Sequence, residues 1–320
     1  MRARRMRGRE LDGVLLLDKR PGLTSNAALQ EVKRLFNARK AGHTGSLDPL
    51  ASGLLPICLG EATKLSGFLL NTDKRYRVVM QLGVRTATGD AEGEILERLA
   101  VPSLDENMLE TVLARFRGEI SQIPPMYSAL KHQGQRLYDL ARQGVEVPRE
   151  PRQITIHELR LLSREAERLS VDVHCSKGTY IRTLAEDIGA ALGCGAHVVE
   201  LRRTGVGAFD LAGAHTIERL SELDETARDA CLLPPEAILD ALPALTLGDS
   251  LCFYLRQGQA VFVPHAPTSG WVRVHDKGGM LIGVGEIQDD GKVAPRRMFK
   301  PHSGKGGADT VFLVPSAAES

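Results

Sequence analysis

The chain is 320 residues long, with 41 Lys and Arg against 40 Asp and Glu and a formal net charge of +1. Its 42% hydrophobic and 25% charged residues exclude a disordered, collagen-like or fibrous chain. Near-neutrality excludes a global field that draws the protein onto polyanions, so any nucleic-acid contact has to come from a local patch.

At about 150 residues per domain, the length predicts two domains. Residues 1–10 read as a basic, flexible arm. The arm resembles the start of a signal peptide, but the apolar stretch Gly13–Leu17 stops at Asp18-Lys19. That is shorter than an h-region of about 7–15 residues. No run of about 18 apolar residues follows, so no membrane span and no membrane partner are expected, and the location reads as cytoplasmic. Cys58, Cys175, Cys194, Cys231 and Cys252 are odd in number and form no Cys-x-x-Cys pair, which suits a reducing compartment. Cys194 and His197 have a metal-like spacing but no second pair, so no metal site is expected.

Gly13–Leu17 reads as a short buried strand. A helix is predicted over Asn26–Ala38, with Leu29, Val32 and Phe36 on one stripe. Tyr76, Val78, Met80 and Leu82 alternate and share one strand face. Ser103-Leu-Asp-Glu106 reads as a capping box that opens a helix ending near Gly118. Leu169–Cys175 is a strand, and a turn at Lys177-Gly178 leads into a helix with Ile181, Leu184, Ala185, Ile188 and Leu192 inward, stopped by Gly193. Residues 222–240 are acidic, and Pro234-Pro235 and Pro243 break the chain between an acidic helix there and the tail. From about residue 245 to 314 short strands separated by Gly and Asp turns predict a small β-rich second domain, with 315–320 a loose tail. The fold class is α+β: a mixed, largely antiparallel central sheet with flanking helices.

Charge is uneven along the chain. From Arg2 to Lys40 there are eleven basic and four acidic residues, whereas 222–240 is acidic. Solvated faces that cancel are the bland reading.

The segment richest in chemistry is Gly42-His-Thr-Gly-Ser-Leu-Asp-Pro-Leu-Ala-Ser-Gly53, whose one carboxylate is Asp48. It is neither a P-loop nor Gly-x-Gly-x-x-Gly. Pro49 drives Asp48 out of helical geometry, and Asp followed by Pro is also a common helix start. His43 reads equally as a loop hydrogen-bonder and Tyr76 as a core residue. Arg182 lies in a first helical turn, where the macrodipole disfavours a cation, which hints at a carboxylate partner.

These residues resemble the TruB-type family of pseudouridine synthases, the bacterial enzymes that act on position 55 of tRNA. The resemblance rests on the Gly42–Gly53 segment and on Gly13–Lys19, Lys74–Val78, Met126–Lys131, Cys175–Arg182 and Leu192–His197, in the family order. The family usually has Lys-Pro-x-Gly after the first strand; here Lys19-Arg-Pro-Gly22 moves the proline by one. The resemblance implies a catalytic domain over 11–244, an RNA-binding insertion over about 124–152 and a barrel-like PUA-type domain at the C-terminus.

It also implies the reaction. The C1′–N1 bond of a T-loop uridine is cleaved, the base turns, and a C1′–C5 bond forms. Asp48 is then the catalytic carboxylate, Tyr76 stacks on the base, Arg182 pairs with Asp48, His43 enters the RNA loop, and Tyr180 and Leu201 line the uridine pocket. Lys19, Lys64, Lys131 and Arg142 are expected to contact the RNA backbone. A base inside a folded loop has to be flipped out at about a few kcal/mol, of which stacking on Tyr76 returns about 1–3 kcal/mol. Asp48 could act at C6, at C1′ or by taking a proton from C2′. The isomerisation involves no net redox change, so no cofactor is expected. In the insertion, Lys131, Arg136, Arg142, Arg149 and Arg152 interleave with Tyr127 and Tyr138, which suits phosphate contact plus stacking.

The partner implied is the T stem-loop of tRNA, met by a monomer without an obligate protein partner. The competing readings are a non-catalytic tRNA-binding or folding protein, a glycoside hydrolase, which would need a second carboxylate, and an Asp phosphotransferase, which would need a phosphate cradle.

Overall fold

The computed structural model describes residues 8–300. In chain order, β1 (Gly13–Lys19) and α1 (Ser25–Leu35) lead to β2 (Ala41–His43) and β3 (Ser52–Leu59). After a 3-10 turn (Gly60–Lys64) come α2 (Ser66–Leu70), β4 (Lys74–Leu82), β5 (Val84–Thr86), β6 (Ile95–Arg98), α3 (Glu106–Ala114) and β7 (Gly118–Gln122). The next stretch holds only β8 (Lys131–His132), β9 (Gln135–Arg136) and α4 (Leu137–Arg142). Then come β10 (Arg152–Glu165), β11 (Arg168–Cys175), α5 (Ile181–Ala191), β12 (Ala196–Val206), β13 (Phe209–Asp210), α6 (Ile217–Glu222) and α7 (Glu225–Asp229). The chain closes with β14 (Ala244–Leu247), α8 (Asp249–Arg256), β15 (Val261–Phe262), β16 (Gly270–Asp276), β17 (Leu281–Ile287) and β18 (Lys292–Met298).

The central sheet runs β1-β3-β12-β4-β11-β10-β7, with β2 on β3 and β13 on β12. Every pairing in it is antiparallel except β12 with β3. This is the mixed, largely antiparallel sheet expected. Its core is the periodic apolar set. Leu29, Val32 and Phe36 from α1 meet Val78, Met80 and Leu82 from β4 and Ile181, Leu184 and Ile188 from α5. Burying side chains of this size stabilises by about 1.5–3 kcal/mol each.

A second sheet, β14-β16-β17-β18-β15, has its own core of Leu247, Leu255, Val272, Val274 and Ile282. It docks on the first through Leu65 and Leu239 against Val284, with Phe68 edge-on to Trp271 at 5.4 Å. The 3-10 turn adds polar contacts. Lys64 Nζ donates to the Met298 carbonyl at 2.7 Å, and Glu61 accepts from Lys300 N.

Several expectations are corrected. Helix α3 is capped by Asp105, which accepts from Met108 N, not by Ser103. Both residue types can cap, and the extended backbone falls on Asp105. Helix α1 stops at Leu35, since Asn37 takes a positive φ. The acidic stretch is two short helices, α6 and α7, and a 3-10 turn (Pro235–Leu239), and cationic side chains from outside it pair with its carboxylates. Asp229 and Glu225 pair with Arg9, and Glu236 pairs with Arg273 and His275. The second sheet carries a helix, α8, that strand reading missed. Residues 1–7 of the basic arm and the tail beyond residue 300 lie outside the described residues. All five cysteines are free thiols, and burial pushes Cys58 and Cys175 up to about 12. Among the described residues no helix is long and apolar enough to cross a membrane.

Candidate active site

Three neighbouring strands set the floor of the site. Register places Gly53 of β3 beside Arg203 of β12, and Arg203 beside Tyr76 of β4. Gly53 has φ +99°, and a Cβ there would lie 2.2 Å from the Arg203 carbonyl oxygen, so only glycine fits. Arg203 is almost wholly buried. Its Nε donates to the Leu54 carbonyl at 2.7 Å, and its Nη2 to Gly45 at 3.2 Å. A buried guanidinium must be satisfied; here the carbonyls of Leu54 on β3 and of Gly45 in the Gly42–Gly53 loop accept from it, and the loop is held in return.

Two further anchors fix that loop. Ser25, at the start of α1, exchanges hydrogen bonds with Leu47: its Oγ accepts from Leu47 N at 2.7 Å and donates to the Leu47 carbonyl at 3.0 Å. Lys19 is fully buried, and its Nζ donates to the carbonyls of Leu23 at 2.7 Å, Arg20 at 3.0 Å and Pro49 at 3.4 Å. Burial holds the Lys19 ammonium at about 8, opposed by the attraction of Asp48. Lys19 therefore anchors the loop. Lys64 is engaged by Glu61 and by the second sheet. The displaced proline of Lys19-Arg-Pro-Gly22 is accommodated: Gly22 has φ +82° and its N–H donates to the Pro49 carbonyl at 2.8 Å.

Asp48 projects from this anchored loop with its side chain 41% exposed, and no helix begins there, so it is not a helix cap. Arg182, in the first turn of α5, reaches it: Nε lies 2.9 Å from Asp48 Oδ2. The guanidinium is itself buried and held at every edge. Nη1 donates to the Thr88 carbonyl at 2.7 Å and approaches Asp90 Oδ2 at 3.6 Å, and Nη2 donates to the Tyr127 carbonyl at 2.8 Å. The cation that the helix dipole disfavours thus has two carboxylates and two carbonyls around it.

Tyr76 and Tyr180 lie within electrostatic range of Asp48. Burial, with Arg203 opposing, raises the Tyr76 hydroxyl above its ordinary value, so the ring stays neutral. Burial and Arg203 lower His43, whose buried Nδ1 has no partner. Burial also raises Tyr180, whose main chain is clamped by Gln122: Tyr180 N donates to Oε1 at 2.8 Å, and Nε2 donates to the Tyr180 carbonyl at 3.1 Å. Leu201 faces Val78 across the strand pair and borders a cleft of about 560 Å³, with Leu50, Ser52 and Glu92 on its walls. Lys131 and Arg142 lie away from this group. With Arg136 they line a separate open cavity of about 620 Å³, where Arg142 and Arg136 sit over the Tyr138 ring at 5.5 and 5.8 Å.

Sequence reading missed Arg203, Asp90 and Gln122. Each is a polar residue on or beside a strand, and no local pattern separates it from a solvated one. Chemically, the arrangement offers an accessible, oriented carboxylate beside a neutral aromatic ring, in cation-rich surroundings suited to an anionic substrate.

Comparison with known proteins gives concordant matches. A family model described as TruB family pseudouridylate synthase (N terminal domain) matches residues 33–181. The tRNA pseudouridylate synthase B C-terminal domain matches 182–240, and the Pseudouridine synthase II TruB, C-terminal model matches 243–299. The tRNA pseudouridine synthase B of Nitrosococcus oceani is 58% identical over 304 residues, covering 94% of this chain and 99% of that one. A namesake from Coxiella burnetii is 57% identical over 296 residues, covering 91% of this chain and 96% of that one. Among solved structures, a Cbf5-Nop10-Gar1 complex contains a chain with TM-score 0.71 and 29% identity, covering 90% of this chain and 85% of that one.

Proposed function

Because the chain belongs to the TruB family and is a pseudouridine synthase acting on tRNA, we propose that its target is uridine 55 of the T loop and that Asp48 is the reacting carboxylate. The observation that carries the assignment is the 2.9 Å contact between Arg182 Nε and Asp48 Oδ2, which joins a buried, fully bonded cation to an accessible anion. A nucleophile has to be ionised and aimed. Arg182 aims it, holding one oxygen at 2.9 Å and leaving the other to face the substrate.

In this reading the uridine flips out of the T loop and stacks on Tyr76, which stays neutral. His43, also neutral, fills the space that the base leaves. Tyr180, fixed by Gln122, and Leu201 close the pocket. Asp48 assists cleavage of C1′–N1 by attack at C6 or C1′, or by removing the C2′ proton. The base turns, C1′–C5 forms, the C5 proton leaves and N1 ends protonated. The product is an isomer of the substrate, so atoms and electrons balance within the nucleotide. Lys131 and Arg142, with the insertion over about 124–152, contact the RNA backbone, and the second sheet, the PUA-type domain, contacts RNA beyond the stem-loop. The protein acts as a monomer, in the cytosol, on the T stem-loop.

The test incubates a T-arm stem-loop carrying one target uridine with the wild type and with Asp48→Asn, and maps pseudouridine by chemical labelling. Asp48→Asn should bind the RNA normally and lose at least about 10³-fold in rate. Undiminished product from the variant would remove Asp48 from the reaction. Release of free uracil would turn the reading toward a hydrolase.

A further inference from the structure

A second cluster of chemistry lies on the face of the sheet away from Tyr76. Strand β11 pairs Val173 with Tyr76 on the core face, so His174, one residue on, belongs to the opposite face. On β10 the register slips between Ile156 and Glu158, leaving His157 as the extra residue of a β-bulge opposite His174. A bulge re-aims a side chain, and this one brings the two imidazoles together, with ring centroids 4.8 Å apart. Asp73, just before β4, completes the group. Its Oδ2 is 3.2 Å from His157 Nε2 and 3.9 Å from His174 Nε2. One donor atom from each residue lies within 4.8 Å of the others.

We propose that Asp73, His157 and His174 form a binding site for a borderline divalent cation of the zinc class. Two imidazoles and one carboxylate suit zinc, cobalt or nickel and not calcium or magnesium, which take oxygen ligands. Neighbouring ligand atoms around a tetrahedral zinc are about 3.3 Å apart, given bonds of about 2.0–2.1 Å. The His157–Asp73 distance already matches; His174 has to close by about half an ångström on Asp73 and, with the donor atoms of the set spread over 4.8 Å, by up to about 1.5 Å on His157, within side-chain rotation. The fourth position goes to water. Occupancy would join the root of β4 to the β10–β11 hairpin without contacting Asp48 or Arg182.

The full-length, untagged protein is stripped with chelator and titrated with zinc chloride by calorimetry, and with cobalt chloride by absorption. The expected result is one equivalent bound at micromolar affinity, a raised thermal midpoint, and tetrahedral cobalt bands without a thiolate charge-transfer band. His157→Gln and His174→Gln should each weaken zinc binding at least tenfold while pseudouridine formation in metal-free buffer stays at the wild-type level. Zinc uptake unchanged in both variants, no uptake by the wild type, or a thiolate band would overturn the proposal.

Discussion

The Gly42–Gly53 loop and the stretch from about 124 to 152 both depend on Lys and Arg, in opposite ways. Beneath the first, Lys19 and Arg203 are buried, and their donors are spent on main-chain carbonyls. On the second, Lys131, Arg136 and Arg142 are exposed and surround an open cavity. Burial decides the role: a cation inside the fold organises the chain, and one outside is available to a phosphate. The two regions meet at Arg182, which takes Asp48 from the loop and the Tyr127 carbonyl from the second stretch.

The comparison breaks most severely at Arg203. Arg203→Met strands several buried carbonyls and should cost about 3–5 kcal/mol, read from urea unfolding. A loss under about 1 kcal/mol would mean that water replaces the guanidinium and that the loop does not need it. Next is Gly53→Ala, which sets a methyl against the Arg203 carbonyl at positive φ. It should lose about 2–4 kcal/mol and activity with it; a normal thermal midpoint would show that the two strands can part.

A subtler effect is in pH. Burial depresses Lys19 and Lys74 to about 8 in the fold from 10.5. Between about pH 8 and 10.5 the unfolded chain therefore binds more protons at these sites, so their contribution rises with pH. Below pH 8 both states are charged and the desolvation cost is complete. Relative to the wild type, Lys19→Met should flatten the stability profile across that window, and an unaltered slope would mean that Lys19 is solvated. The smallest effect on the fold belongs to Lys131→Ala and Arg142→Ala, each within about 0.5 kcal/mol of wild-type stability. Each should weaken T-arm RNA binding and lower its salt slope by about 1. Salt dependence identical to the wild type would return these residues to ordinary solvated surface.

Much of the fold was legible because burial is periodic. The Leu29, Val32 and Phe36 stripe, the alternation from Tyr76 to Leu82 and the inward face of α5 all follow from 3.6- and 2-residue repeats meeting one core. Asp48, Arg182 and Tyr76 were legible as a set through the resemblance, and Arg182 also through its awkward place in a first helical turn. What stayed hidden depends on long-range partners. Nothing near Lys19 or Arg203 announces that distant loops supply their acceptors. Nothing near His157 announces that a register slip will turn it toward His174. Ser103 lost to Asp105 because two capping residues competed and the backbone settled between them.

Strand β3 has one more consequence. The carboxylate-bearing loop enters it at Ser52, and the 3-10 turn that grips the second sheet leaves it after Leu59. Eight extended residues at about 3.3 Å each make a stiff spacer of roughly 26 Å. It works as a caliper whose jaws are the Asp48 loop and the second sheet, and its opening is set covalently. Adding or removing one residue would do more than lengthen or shorten it, because the pleat would turn every later side chain to the wrong face.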